Sequence, residues 1–180
     1  MAIAYHGHAI PFRPRARARS LPKRALGLVL PAGEHALCRE TGPGDAAHYV
    51  ATERALYHRG AHESSWHRIA WVDLAFAEVS RTARALVLRG WPDDRLPSTE
   101  LTIAGRSRLP ALAHERIAAC QIVIRRVHID GASVVVTARR EPGTDTTMWT
   151  AHVDQRYEPG HPDPAAVDQA IREIRAQAGC

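Results

Sequence analysis

The sequence predicts an α+β fold dominated by antiparallel strands: a barrel of short strands with a capping helix, then a C-terminal β-meander and a terminal α-helix. Three observations carry this expectation. From about residue 34, apolar residues alternate over short runs separated by polar turns, as in half-buried strands. Between residues 109 and 124 the apolar spacing becomes helical. Near the C-terminus, an apolar stripe with matched cap residues marks a second helix.

The strands follow in order. "HALC" (residues 35–38) is the first. "HYVAT" (48–52) and "ALYHR" (55–59) read as a hairpin, with Glu53 and Arg54 as exposed turn residues. "WHRIAW" (66–71) comes next. In "VDLAFAEVS" (72–80), Val72, Leu74 and Phe76 alternate with Asp73, Ala75 and Ala77, a period of two that puts the first three on one face. "RTAR" (81–84) turns the chain into "ALVLR", where Leu86 and Leu88 share a face. A loop with Pro92, Asp93, Asp94 and Pro97 leads to "TELTIAG", with Leu101 and Ile103 on one side. Strands this short and closely spaced argue for a meander that closes into a barrel or a sandwich.

Leu109, Ala113, Ile117, Cys120 and Ile124 then fall at helical spacing, with Pro110 suited to a first turn. "IVIRRVHI" and "SVVVTARR" flank Asp130-Gly131, two residues that tolerate positive φ and so favour a tight hairpin. "MWTAHVD" completes a second meander, with Trp149, Ala151 and Val153 on one face. In the last element Asp163 is the expected N-cap, Pro164 the first helical residue, and Gly179 the stop. Val167, Ile171, Ile174 and Ala178 form the stripe, and Asp168 and Arg172 stand at ion-pair spacing.

A chain of 180 residues with 45% hydrophobic content suits one domain with a sizeable core. Its net charge of +5 is unevenly placed. Residues 1–27 hold Arg13, Arg15, Arg17, Arg19, Lys23 and Arg24 and no acid. The rest sets 18 of the 24 basic residues against all 19 acidic ones, for a charge of −1. Residues 1–24 have three prolines and no apolar period. We therefore expect a disordered basic tail over 1–27, able to attract nucleic acid or another polyanion, ahead of a single nearly neutral domain over 28–180.

No apolar run approaches the roughly 20 residues needed to span a bilayer, and "ALGLVLPAG" (25–33) is too short for a signal segment followed by cleavage, so a cytoplasmic protein is expected. Cys38, Cys120 and Cys180 are widely spaced and form no CxxC pair, which discounts zinc ribbons and thioredoxin-type chemistry.

No Gly-x-Ser-x-Gly elbow surrounds Ser107, Ser133 or Ser64-Ser65, and no glycine-rich phosphate loop is present, so neither catalysis nor a cofactor is expected. The one dense cluster of ligating residues is "HRGAHESSWH", with His58, His62, Glu63 and His67. His-x3-His next to a carboxylate can bind a divalent metal on one helix face, but Gly60 and the strand-like flanks argue against a helix. The preferred reading is a solvated loop; a metal-dependent enzyme using His58, His62 and His67 is the least favoured alternative. Trp66 and Trp71 bracket one strand at opposite parity, so one faces inward and the other outward. With His58 and His62 they form the first candidate surface for a protein or peptide partner.

The order "PAGEHAL", "HYVATERALYHR", "WHRIAWVDLAFAEVS" and a strand pair resembles the bacterial pleckstrin-homology-like (PH-like) domains. Thr52, Arg54 and Leu56 stand where that hairpin signature would put them. "HERIAACQIVIRRVHI", "VVVTARRE" and "TMWTAHVD" look like a group of actinobacterial proteins of unassigned activity. The resemblance covers roughly residues 30–178. It implies a PH-like barrel and a small binding or adaptor module; fold alone does not name its ligand.

Overall fold

The structure, a computed structural model, describes residues 24–25, 27–91, 97–154 and 161–179. Most of the expected tail, including Arg13, Arg15, Arg17, Arg19 and Lys23, lies outside them, as do Asp93, Asp94 and Cys180. The chain enters the described part through β1 (Arg24–Ala25), which pairs with β2 (Leu28–Val29) around Gly27. Arg24 therefore belongs to a short hairpin at the edge of the folded body.

Two antiparallel sheets follow. The first is a four-stranded meander of β3 (Ala36–Thr41), β4 (Ala47–Thr52), β5 (Ala55–Gly60) and β6 (His67–Ala70). A 3-10 turn over Trp71–Asp73 redirects the chain into β7 (Leu74–Ser80), which pairs with β8 (Ala85–Gly90), itself paired with β9 (Thr99–Thr102). The principal core lies between these sheets, from Tyr49, Leu56 and Trp71 to Leu86, Leu88 and Leu101.

The barrel does not close. Among the described residues no hydrogen-bonded ladder joins the two sheets. β9 is only four residues long, and it meets the first sheet through a side chain: the Tyr49 hydroxyl donates to the Thr102 carbonyl at 2.7 Å. The two sheets are packed layers with an open seam along β9.

The expected parity of β7 also fails, for a local reason. A β-bulge between Leu74 and Phe76 gives the strand an extra residue there. Leu74 and Ala77 are consequently the buried residues, while Phe76 is 46% exposed beneath the Arg89 guanidinium.

Helix α1 (Leu109–Cys120) buries Leu109, Ala113, Ile117 and Cys120 against the core, the expected stripe without Ile124. Its first turn is held from β3. The Glu40 carboxylate accepts from Arg108 N at 2.6 Å and from the Ser107 hydroxyl, whose oxygen accepts from Leu109 N at 3.1 Å. An anion at this end of a helix satisfies free N–H groups and suits the helix dipole.

At Gln121 the chain passes directly into β10 (Gln121–Ile129), which places Ile124 on an exposed strand edge. β10 turns at Asp130-Gly131, with φ of 50° and 81°, into β11 (Ala132–Arg140), and β12 (Thr147–Val153) completes a third sheet. α2 (Pro164–Ala178) covers one face of that sheet. Asp163 caps it by accepting from Ala165 N, and Gly179 ends it at φ 68°. Ile174 is the buried member of its stripe, packing on Val134 and Val136, whereas Ile171 is partly covered. The expected Asp168–Arg172 pair is replaced by Arg172 donating to Gln169 Oε1 at 2.8 Å, since residues three apart also face each other on a helix.

The other face of β11 docks on the principal core. The buried Arg139 donates to the Val72 carbonyl at 3.1 Å and lies 5.0 Å from the Trp91 ring, which stacks on His152 at 5.7 Å. No helix among the described residues is long and apolar enough to cross a membrane.

Candidate functional site: the open seam

Where the first two sheets fail to join, a cavity of about 220 Å³ opens between β4 and β5 on one side and β9 on the other. Small residues clear the space: Gly42, Ala46, Ala47 and Gly60 line it. Tyr49 also lines it, with Thr99, Glu100, Leu101 and Thr102 contributed by β9. A Cβ at Gly42 would come 3.3 Å from the Thr102 carbonyl, tight enough that the backbone there would have to give by a few tenths of an ångström.

His58 and Glu63 complete the lining. His58 on β5 and His67 on β6 are direct cross-strand partners, and their rings stack with centroids 5.2 Å apart. Burial pushes the His58 imidazole below its ordinary value, and the neighbouring His67 pushes it the same way. Glu63 folds back over Gly60, whose N–H donates to Oε2 at 2.8 Å, and His67 Nε2 lies 3.4 Å from the same oxygen. That backbone hydrogen bond, aided by the two histidines, holds the Glu63 carboxyl below its usual range. The cavity thus carries a fixed carboxylate beside a histidine biased toward its neutral form.

The seam is positioned by a clasp at the far end of the β4–β5 hairpin. The buried Glu34 carboxylate accepts from the Thr52 hydroxyl at 2.8 Å and from the Tyr57 hydroxyl at 3.2 Å, and Arg68 lies 3.8 Å away. Glu53 reaches back to accept from His35 N at 3.0 Å. Glu53 and Arg54 are therefore half-buried fastening residues rather than free turn residues. The Arg54 guanidinium lies over Gly143, where a Cβ would sit 3.0 Å from Nη2.

The candidate partner residues separate. Trp71 is fully buried and donates its indole N–H to the Thr52 carbonyl at 2.9 Å, so it belongs to the core and no partner reaches it. Trp66 lies on the outer face of the first sheet, partly covered and under the Arg59 guanidinium at 4.9 Å. His58 reaches the cavity, and His62 is exposed in the β5–β6 loop. Among the described residues no group of three or more His, Cys, Asp and Glu side chains is placed to hold a metal ion, so His58, His62 and His67 do not form the centre weighed from their spacing. Cross-strand stacking of two of them, rather than convergence, is the reason. Burial pushes the thiols of Cys38 and Cys120 up to about 11, which leaves neither a nucleophile near neutral pH.

Sequence reasoning did not find Tyr49, Glu100 or Thr102 as site residues. Each reads as an ordinary strand position, and only the lack of a ladder between β9 and the first sheet places them around a cavity. No protein-family model matches the chain, and no curated protein or solved structure matches it either.

Proposed function

We propose that the protein is a small non-catalytic binding module of the PH-like kind, taking a protein or peptide partner at the open seam. The observation that carries this reading is the cavity itself, a concave site with preset polar groups, built where two sheets part. The reading starts from the β-dominated α+β arrangement of a four-stranded meander, a three-stranded meander and a helix packed against β7.

The test narrows the seam without touching the core. Thr99→Trp fills the cavity from β9. Partners retained from native cell extract by the wild-type chain should be lost with this variant while its melting temperature holds. Equal retention by both would defeat the assignment of the seam.

A second reading rests on a separate observation, the +6 charge of residues 1–27 against −1 for the rest. In it, the arginine tail binds nucleic acid by counterion release. Affinity of the full chain for duplex DNA should then fall with salt at a log–log slope as steep as about −5. Replacing Arg13, Arg15, Arg17 and Arg19 with Gln should remove most of the binding. Binding indifferent to salt would sink this account.

A further inference from the structure

We propose that His58, His67 and Glu63 form a proton-operated latch, which fastens the β5–β6 loop onto the end of β5 near neutral pH and releases it in mild acid. The latch borders the seam, but it does not rest on the seam being a binding site.

The latch is built from a stacked pair and a bridging carboxylate. His58 on β5 and His67 on β6 stand directly opposite each other, with ring centroids 5.2 Å apart and planes 26° from parallel. Glu63, in the loop between the two strands, accepts from Gly60 N at 2.8 Å, and its own N–H donates to the Gly60 carbonyl at 3.1 Å. His67 Nε2 lies 3.4 Å from the same Glu63 oxygen. One side chain thus closes the loop on the last residue of β5, and one ring of the pair steers it. Glycine at 60 leaves it room, since a Cβ there would meet Glu63 Cδ at 3.2 Å.

The two rings meet a proton differently. On His67 the added charge faces the Glu63 carboxylate. On His58, which is half-buried, it faces the His67 ring. The other ionisable groups nearby do not offset this. Tyr49 on β4 is the direct strand partner of His58; its hydroxyl donates to the Thr102 carbonyl, and burial pushes it up, so it stays neutral. Glu40, next in the same row on β3, is engaged by Ser107 and Arg108 N at the start of α1. Glu100 on β9 is exposed, as is His62 in the loop.

With the loop closed, burial and His67 hold His58 below its ordinary 6.5. An opened loop exposes His58 and parts it from His67, returning it toward 6.5, so the opened form takes up the extra proton. Opening is therefore favoured as pH falls below 6.5, by up to about tenfold for each pH unit, and levels off once the lowered value is passed. The Glu63 carboxyl is held below its ordinary 4.5 and keeps its charge through this window.

Amide exchange of the full-length chain tests the latch, because Glu63 holds the Gly60 N–H. Protection factors, which remove the intrinsic pH dependence of exchange, are measured from pH 7.5 to 5. Protection of Gly60 should fall below pH 6.5, by up to about tenfold per unit. Gly60 should also exchange faster than Val50, on the interior strand β4, at every pH. His58→Gln should remove the pH dependence, whereas His62→Gln, in the same loop but outside the stack, should keep it. If His58→Gln leaves Gly60 unprotected throughout, the wild-type chain decides by NMR: the His58 ring signal and the Gly60 amide shift should titrate with one midpoint below 6.5. Separate midpoints, flat protection of Gly60 in the wild type, a slope kept by His58→Gln or lost in His62→Gln, or equal exchange of Gly60 and Val50 would overturn the proposal.

Discussion

At the scale of single residues, the buried Thr52 hydroxyl ties the β4–β5 turn to Glu34. The hydroxyl oxygen accepts from Arg54 N and Ala55 N, and its proton serves the buried Glu34 carboxylate. Thr52→Val keeps the shape and removes all three contacts. It should cost about 2–3 kcal/mol in urea unfolding, because a buried carboxylate and two backbone donors lose a partner. A loss under about 0.5 kcal/mol would show that water substitutes freely. His58 gives a pH signature. Its folded value lies below the ordinary 6.5, so the unfolded chain binds the extra proton first. Stability from this group is present above 6.5 and is lost as pH falls through 6.5 toward the lowered value. Glu63, shifted below its ordinary 4.5, adds a loss only at lower pH, so the two are separable. Urea midpoints taken from pH 7.5 to 5 should fall for wild type and stay flatter for His58→Gln; parallel curves would refute the assignment.

Among elements, α2 was the most legible in the sequence, and its caps and stripe lie where Asp163, Pro164 and Gly179 put them. Spacing did not say which isoleucine packs most deeply. Ile174→Ala should cost about 2–4 kcal/mol and Ile171→Ala clearly less, because cavity cost follows burial. Equal losses in paired urea melts would mean the helix is rotated on its sheet. The hairpins were legible for the same reason as the helix: β4–β5 and β10–β11 are local, and their turn residues reveal them. The bulge in β7 was not, since nothing in "DLAFAEV" announces an extra residue, and it moved Phe76 from the core to the surface. The seam was hidden more deeply. Closure of a barrel depends on long-range pairing, and alternating residues in β9 look the same whether the strand closes a barrel or stands beside a gap. Glu63 and His58 were visible as a polar cluster read as a solvated loop, but loop spacing did not say that His58 and His67 would stack across a strand pair.

For the whole molecule, the joint between the third sheet and the principal core matters most. Its contacts include the Arg139 guanidinium on the Val72 carbonyl and the Trp91 ring, and Trp91 stacked on His152. Arg139→Met should cost about 2–4 kcal/mol, since the Val72 carbonyl loses a buried donor. Amide exchange should quicken in β11 and β12 before it does in β4 and β5; uniform quickening would show a single cooperative unit with no weak plane. The direct passage from α1 into β10 has a further consequence for how such a chain can be dissected. Cys120 ends the helix and Gln121 begins the strand, with the Gln121 amide side chain bonded at 2.9 Å to the Ala75 carbonyl of β7. The last third of the protein is therefore not a portable module on a tether. Grafted elsewhere from residue 121 onward, it would arrive with the Arg139 and His152 face bare and its first strand unanchored, and a reporter fused at that junction would break the molecule where it has no slack.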